Sequence, residues 1–263
     1  MNFTKEKKVA EVAARMAGKY LENNFSKVSR SRNFKLKSKD QIQTPLDKGA
    51  EKIIINEIKK HFPTHRIYSE EIGDNLKNSD YYWIIDPLDG TTNYTMHLPT
   101  YGVAIGLAYK EKMVLGITYV PVLKELTVAE LGKGAFINNK RLRVSKRKKI
   151  SDSILIFCHG SLVKDMKRAI KLYKAFKLKT LDLRQIGSAV VEFQIMAMGR
   201  VEAVMLPGGN LHDVATGALI VKEAGGKVTD FNNKEWTIYS KDILVSNGLV
   251  HNQVLKIIKQ SLK

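Results

Sequence analysis

The chain has 263 residues, 44% of them hydrophobic, which is enough for a buried core and argues against disorder as the main state. No apolar run approaches the roughly 20 residues that cross a bilayer, and the N-terminus lacks a signal-peptide pattern, so we expect a soluble cytoplasmic protein without membrane association. The 44 Lys and Arg residues against 26 Asp and Glu give a formal charge of +18, which attracts phosphates, including nucleic acid. Basic clusters lie at 5–8, 35–39 and 140–149 without a nucleic-acid motif, and a solvated basic surface is the expected explanation.

The first half of the chain predicts two helices followed by a sheet. Apolar residues recur at helical spacing over about 4–24, which predicts an amphipathic helix. The basic segment 29–43 predicts an exposed hairpin or mobile loop. A second helix is expected to begin at Pro45, with Thr44 as N-cap and Asp47 at the third helical position. Short β-branched or alternating runs then predict consecutive strands of one sheet, at 81–85, 102–109, 113–120 and 125–130.

Beyond residue 150 the predicted strands and helices alternate. Strands are expected near 154, near 181, at 201–205 and near 243, and helices at 163–176, 188–198, 213–224 and around 254–258. Gly225-Gly226 suits a left-handed cap at the end of a helix. The basic run near Lys146 is the plausible seam, so we predict one α/β domain over 1–263, with an N-terminal lobe of about 1–145 and a C-terminal lobe of about 146–263.

The most informative stretch runs from Trp83 to Asn93, with the sequence WIIDPLDGTTN. A strand leads into Asp86 and Asp89, and the intervening turn can aim both carboxylates and the Leu88 carbonyl at one point. Hard cations such as Mg²⁺ prefer oxygen ligands of this kind. If Thr91 opens a helix, the free N–H groups there form a phosphate cradle beside the cations. A plain turn with capping aspartates would explain a shorter motif, but it explains this long string after a strand less well.

Two further acidic segments lie elsewhere in the chain. Glu70, in Ser69-Glu70-Glu71-Ile72-Gly73, stands sixteen residues before Asp86, and Asp213 stands where a loop enters an apolar helix. Taken singly, paired glutamates are typical of a solvated surface and Asp213 of a helix N-cap. If these carboxylates lie together they repel strongly at neutral pH, so cations or protons must neutralise them. Metal binding is the expected resolution.

All three acidic segments occur in the order in which the inositol monophosphatase family carries them. The chain resembles this family of metal-dependent, lithium-sensitive sugar phosphatases over nearly its whole length. The string 83–93 is similar to one family signature, and Asp213 with the downstream Glu223-Ala224-Gly225-Gly226 is similar to the second. The resemblance implies a layered αβαβα fold, a homodimer, up to three Mg²⁺ ions per subunit and inhibition by lithium.

The resemblance also implies a role for individual residues. The metal ligands would be Glu70, Asp86, Leu88 through its carbonyl, Asp89 and Asp213. The groups that position the attacking water would be Asp47, Glu70 and Thr91. The contacts to phosphate and substrate would be Leu88, Gly90, Thr91, Gly187, Ser188 and Asp213. No Ser/His/Asp or Cys/His arrangement suggests covalent catalysis, so we expect direct attack by water without a phosphoenzyme.

Two residues depart from the family pattern. His212 stands where tryptophan is common, and we expect it to be exposed or structural because Mg²⁺ prefers oxygen ligands. Leu206 stands seven residues before Asp213, where inositol-selective members carry a substrate-binding glutamate. Recognition of a hydroxyl group by that glutamate is therefore lost in this chain.

We therefore predict a Mg²⁺-dependent phosphomonoesterase for a small polyol or sugar phosphate, namely inositol 1-phosphate and/or fructose 1,6-bisphosphate. Histidinol phosphate and a 3'-phosphonucleotide are alternatives within the same class. Residues 89–94 resemble the inositol and sugar branch more than the nucleotide branch. An RNA-associated regulatory protein on the same scaffold is the alternative from another class, and the +18 charge motivates it.

Overall fold

The structure, a computed structural model, describes residues 2–28, 35–38 and 41–263. The helices of these residues are α1 (Thr4–Asn24), α2 (Pro45–His61), α3 (Thr91–Thr95), α4 (Val163–Phe176), α5 (Ala189–Ala197), α6 (Leu211–Glu223) and α7 (His251–Ser261). Across the described ranges, no helix combines the length and the apolar character that crossing a bilayer requires.

The strands form one hairpin and two larger sheets. The hairpin pairs β1 (Lys35–Ser38) with β2 (Gln41–Gln43). The first sheet contains β3 (Arg66–Ser69), β4 (Gly73–Asp74), β5 (Tyr81–Asp89), β6 (Gly102–Tyr109), β7 (Lys112–Val120), β8 (Glu125–Glu130), β9 (Gly134–Ile137) and β10 (Lys140–Arg141). The second contains β11 (Ile154–Phe157), β12 (Asp182–Arg184), β13 (Ala203–Leu206), β14 (Lys227–Thr229) and β15 (Ile243–Ser246).

The predicted hairpin of segment 29–43 is present in its described part. Residues 29–34 and 39–40 lie outside the described residues, as do the side chains of the basic cluster 35–39. The helix predicted after the hairpin begins as expected. Thr44 caps α2, with its Oγ1 accepting the Leu46 N–H at 3.1 Å, and the Thr44 N–H donates to Asp47 Oδ2 at 2.7 Å. This reciprocal pair is a capping box, which satisfies backbone N–H groups that the first turn leaves free.

The first sheet has the strand order β10-β9-β8-β7-β6-β5-β3-β4. Its pairs are antiparallel except for β3 with β5, which run parallel. The four strands predicted from β-branched runs are β5, β6, β7 and β8, and they are consecutive neighbours as expected. The sequence does not predict the short strands β3, β4, β9 and β10, because their few residues show no clear alternation.

The second sheet has the order β12-β11-β13-β15-β14. Strands β11, β12 and β13 run parallel, and β15 is antiparallel to both of its neighbours. The carboxyl ends of the three parallel strands therefore meet at one edge, and the loops before α5 and α6 leave from that edge. Loops at such an edge commonly build the binding sites of α/β proteins.

Alternating residues of the second sheet bury two separate cores. On β13, Ala203 and Met205 pack in the cluster that also contains Phe176 of α4 and Val254 of α7. The opposite face packs against α5 and α6 through Val204 and its neighbours. The first sheet packs against α6 on one face and against α1 and α2 on the other. The layers are therefore α1/α2, first sheet, α5/α6, second sheet and α4/α7, which confirms the predicted αβαβα fold.

The two sheets divide the chain in the region of the predicted seam. The last strand of the first sheet ends at Arg141 and the first strand of the second begins at Ile154. Lys146 lies between them, in line with the expected lobes 1–145 and 146–263. The division into two lobes within one domain stays a prediction.

Close contact between α5 and α6 supports a prediction about Gly217. A Cβ on this residue would lie 2.3 Å from Cγ of Phe193, a side chain that is 1% exposed. Helix propensity favours alanine by about 1 kcal/mol, whereas overpacking costs about 1–3 kcal/mol. We expect Gly217→Ala to lower the free energy of unfolding by up to about 2 kcal/mol in urea titrations. A gain in stability would contradict this packing.

Candidate active site

Strand β5 brings Asp86, Leu88 and Asp89 to one end of the first sheet. The strand is hydrogen-bonded to β3 on one side and β6 on the other, and its register with β6 shifts between Asp86 and Asp89. Such an irregularity bends a strand and redirects side chains. The Leu88 N–H donates to Asp86 Oδ1 at 3.1 Å, which fixes this carboxylate within the turn.

Glu70 approaches the same place because β3 runs parallel to β5. The Glu70 N–H donates to the Ile85 carbonyl at 3.2 Å, so Glu70 leaves the sheet beside Asp86. Oxygen atoms of Asp86, Asp89 and Asp213 lie within 4.8 Å of one another, and ligand atoms of Glu70, Asp86 and His212 satisfy the same limit. The structure thus brings the three predicted acidic segments together, and Asp86 belongs to both groups.

The N-terminus of α5 holds Asp89. Asp89 Oδ1 accepts the Ala189 N–H at 3.1 Å, and Oδ2 accepts the Val190 N–H at 2.8 Å and the Ser188 hydroxyl. Backbone N–H groups at a helix N-terminus stabilise negative charge. The second half of the chain therefore orients a carboxylate that belongs to the first half.

Asp213 lies in the first turn of α6, and its position there corrects the prediction that it is the N-cap of this helix. It is not the N-cap: Asn210 caps the helix, and Asp213 is the third helical residue, because α6 begins at Leu211. Asp213 Oδ2 accepts the backbone N–H of Asn210 at 3.1 Å and its side-chain N–H at 3.0 Å. Asn210 thereby holds one carboxylate oxygen of Asp213. The Asp213 side chain as a whole is 26% exposed to solvent.

Asp47 and Thr91 form a pair beside the carboxylate cluster. Thr91 Oγ1 lies 2.9 Å from Asp47 Oδ1 and 2.9 Å from the Leu88 carbonyl, so its single proton is shared between two acceptors. Asp47 is 1% exposed, and its other oxygen is held by the capping box of α2. The pair joins the N-terminus of α2 to that of α3.

Burial and mutual repulsion raise the pKa values of these acids. The pKa of Asp86 is raised well above its usual range by burial and then by repulsion from Glu70 and Asp89. Burial also raises the pKa of Asp89 to about 7, against the hydrogen bonds of Ser188 and Val190. Burial raises the pKa of Asp47. Negative charge is therefore unfavourable here without cations, and a cluster of carboxylate and carbonyl oxygens fits a hard cation such as Mg²⁺.

Gly90 sits where a side chain has no room. Its φ is +81°, and a Cβ would lie 2.9 Å from the Thr100 carbonyl and 3.0 Å from Cβ of Ser188. The helix predicted to open at Thr91 is present as α3, so its first backbone N–H groups have no acceptor within the helix. Asn93 Nδ2 donates to the carbonyls of Thr100 at 2.9 Å and Ile186 at 2.8 Å, which ties this turn to the loop before α5.

The residues that separate this chain from the inositol-selective pattern lie at the same edge. Leu206, the last residue of β13, is buried. His212 is buried too, and its Nδ1 lies 3.1 Å from the Tyr68 hydroxyl and its Nε2 3.4 Å from Asp213 Oδ1. The expectation of an exposed His212 is therefore wrong, and its structural role stays a prediction, since its ring also lies beside Glu70 and Asp86 as a potential metal ligand. Among the predicted substrate contacts, Gly187 is exposed, whereas the Ser188 hydroxyl is directed to Asp89.

Sequence reasoning misses Glu192, which is fully buried on α5. Its Oε1 accepts the N–H groups of Ile186 and Gly187, each at 3.0 Å. Burial raises the pKa of Glu192 to about 8, although these two hydrogen bonds oppose the rise. A single acid in the helix Ala189–Ala197, where Gln194 is the only other polar residue, is the signal that could have identified it.

These raised pKa values predict how stability depends on pH without metal. Burial raises the pKa of Asp89 from 3.8 to about 7 and the pKa of Glu192 from 4.5 to about 8, so the folded state binds more protons than the unfolded chain. Stability then falls as pH rises. His65 and His251, whose pKa values are lowered, oppose this only below about 6.5. We expect urea titrations in EDTA to show decreasing stability from pH 6.5 to 8, a trend that Mg²⁺ weakens by binding the ionised carboxylates. A flat or rising metal-free profile would contradict the raised pKa values.

The chain is similar to known proteins both in sequence and in structure. The sequence pattern of the inositol monophosphatase family matches residues 4–263. A fructose-1,6-bisphosphatase/inositol-1-monophosphatase of Thermotoga maritima is 36% identical over 219 residues, covering 83% of each chain. A Nus factor SuhB of Pasteurella multocida is 34% identical over 259 residues, covering 97% of this chain and 96% of that protein. The solved structure of the suppressor protein SuhB from Bartonella henselae is 30% identical, covers 98% of this chain and 99% of its own, and superposes with a TM-score of 0.92.

The layered fold and the carboxylate cluster are those of a phosphatase that hydrolyses phosphate esters. The chain belongs to the inositol monophosphatase family. This is a metal-dependent family, and the acidic cluster described above could hold the metal.

Proposed function

We propose that the chain is a Mg²⁺-dependent phosphomonoesterase acting on a small polyol or sugar phosphate. The observation that carries this proposal is the position of Asp86, whose carboxylate lies with those of Asp89 and Asp213 in one group of potential ligand atoms and beside Glu70 in a second, which His212 completes. The proposed ligands come from both halves of the chain: Glu70, Asp86, the Leu88 carbonyl, Asp89 and Asp213. Up to three Mg²⁺ ions per subunit, with lithium as an inhibitor, belong to the same proposal.

Different residues of the chain orient the attacking water and bind the phosphate group. Mg²⁺ ions, when bound, supply Lewis-acid stabilisation of the phosphoryl oxygens and acidify water. Thr91 and Asp47 orient the attacking water together with Glu70, because their shared hydrogen bond fixes a hydroxyl and a carboxylate beside the cluster. The N–H groups of Gly90 and Thr91, at the start of α3, hold the phosphate, and Leu88 and Asp213 contribute to the same pocket.

For the substrate we propose inositol 1-phosphate and/or fructose 1,6-bisphosphate. The relative from Thermotoga maritima carries both activities in its name. Leu206 offers no polar group to a sugar hydroxyl, which favours an enzyme that accepts more than one ester. Gly187 and Ser188 are proposed to line the pocket through the backbone.

A substrate panel tests this function. Phosphate release with Mg²⁺ is compared for inositol 1-phosphate, fructose 1,6-bisphosphate, histidinol phosphate and adenosine 3',5'-bisphosphate, with EDTA and lithium as controls. We expect the first two esters to be hydrolysed most efficiently, only with Mg²⁺ and less in lithium. Preference for histidinol phosphate or the nucleotide would support those alternatives within the class. Hydrolysis of none of the four would count against the proposal.

We also propose that two copies of the chain form a homodimer. Several apolar side chains of α4 and of the residue before it are exposed to solvent. Exposed apolar patches are a common feature of protein–protein interfaces. They are Leu162, Val163, Ile170 and Tyr173. Sedimentation equilibrium measures the mass directly, and a monomer at micromolar concentration would contradict the proposal. The cytoplasmic location stays a prediction.

The second candidate function is association with RNA in a regulatory role. The formal charge of +18 favours it, and the relative from Pasteurella multocida is named a Nus factor. Binding through phosphates weakens steeply with salt, because each neutralised phosphate releases counterions. We therefore expect RNA retention that falls linearly on a plot of log affinity against log salt. A shallow slope, or no retention at physiological salt, would exclude this candidate.

A further inference from the structure

The turn immediately before α5 is anchored from inside the protein. Glu192, one helical turn into α5, is 0% exposed, and its Oε1 accepts both the Ile186 N–H and the Gly187 N–H at 3.0 Å. Burial of a polar group is unfavourable unless it is hydrogen-bonded, so the carboxyl and the turn hold each other in place. Gly187 has a φ of +80°, and the two contacts fix this unusual backbone.

The anchored turn leads directly to the groups that hold Asp89. Ser188 follows Gly187, and its hydroxyl together with the N–H groups of Ala189 and Val190 donates to the Asp89 carboxylate. On the other side of the turn, the Ile186 carbonyl accepts the Asn93 side-chain N–H at 2.8 Å. The orientation of Asp89 therefore depends on the position of 186–190, and that position depends on Glu192.

We propose that Glu192 is a positioning residue that sets the Asp89 carboxylate for cation binding through the turn 186–187. This inference rests on the proposed function, which assigns Asp89 as a metal ligand. Groups that hold a metal ligand in place commonly change metal affinity by about 10–100-fold when they are removed. Because burial raises the pKa of Glu192 to about 8, the role depends on its acceptor oxygen more than on a full negative charge.

The test compares two substitutions that differ in this acceptor. Glu192→Met removes the acceptor from the turn while keeping a side chain of similar length, and Glu192→Gln keeps a carbonyl oxygen. Mg²⁺ binding is measured by calorimetry on the full chain without substrate. We expect the methionine variant to bind Mg²⁺ about tenfold or more weakly and the glutamine variant to fall between it and the original protein. Hydrogen exchange at Ile186 and Gly187 should be fastest in the methionine variant.

Glu202 provides the matched control. It is a buried acid of the same size, and its Oε2 accepts the Ile154 N–H at 2.8 Å, at the end of the second sheet away from the carboxylate cluster. Glu202→Met should lower stability without changing Mg²⁺ affinity. Unchanged affinity in Glu192→Met would overturn the positioning role. If the methionine variant does not fold, Glu192→Leu, which also lacks the acceptor, takes its place with the same deciding outcome. Failure of the unsubstituted protein to bind Mg²⁺ would instead refute the proposed function.

Discussion

Asp89→Asn should reduce turnover by roughly 10³-fold or more, equivalent to about 4 kcal/mol of transition-state stabilisation. Asp89 is the ligand that the two halves of the chain hold jointly, through β5 and through the N-terminus of α5. The substitution removes one negative charge from a site whose cations require several. Steady-state kinetics at saturating Mg²⁺, with the best ester of the panel, measures the effect.

The fold should survive this substitution. An asparagine keeps the shape of the side chain and one acceptor for the N–H groups of α5, and it removes a charge that burial disfavours. We therefore expect metal-free Asp89→Asn to unfold at about the same urea concentration as the original protein. Asp80→Asn, a change to an exposed aspartate immediately before β5, is the matched control and should leave turnover unchanged. Near-normal hydrolysis by Asp89→Asn would refute the assignment of the site.

Thr91→Val should lower turnover by about 10²–10³-fold while Mg²⁺ binding stays nearly unchanged. Valine has the shape of threonine but lacks the hydroxyl, so the 2.9 Å contact with Asp47 is lost. No proposed metal ligand is altered, which separates the orientation of water from the binding of cations. The ratio of the turnover loss to the change in Mg²⁺ affinity is the quantity to measure.

Thr91→Ser is the matched variant for this experiment. Serine keeps the hydroxyl and can repeat both contacts, to Asp47 and to the Leu88 carbonyl. We expect its turnover to stay within about tenfold of the original value. If the valine and serine variants lose turnover to the same degree, the hydroxyl has no role in the reaction and Thr91 matters only for packing.

The sequence predicts a helix well where the spacing of its apolar residues and its capping residues indicate the same boundaries. The helix expected over 4–24 is α1, the helix expected over 163–176 is α4, and the N-cap Thr44 is found with its capping box. These features depend on neighbours in the chain, whose spacing the sequence shows directly. The start of α6 was open to the same reasoning, because Asn210 and Asp213 have the spacing of a capping box.

The geometry of the site depends on contacts that no local pattern contains. Glu70 meets Asp86 because β3 pairs with β5 in parallel, and the sequence does not predict β3. Asp89 meets the amides of α5 across a separation of a hundred residues. The family resemblance supplied these candidate residues. It did not reveal that the Ser188 hydroxyl donates to Asp89 or that Glu192 accepts N–H groups of the turn before α5.

The place of α6 between the two sheets has a consequence for the protein during synthesis. All strands of the first sheet have been made when the ribosome reaches Arg141, but most of one face of that sheet stays uncovered until α5 and then Leu211–Glu223 have emerged. A chain released before that point would carry Asp86 and Asp89 without Asp213, and would expose an apolar surface to other nascent chains. Such a product is a target for chaperones and proteases. A chain that ends before α6 is therefore expected to be degraded, and not to persist as an enzyme of reduced activity.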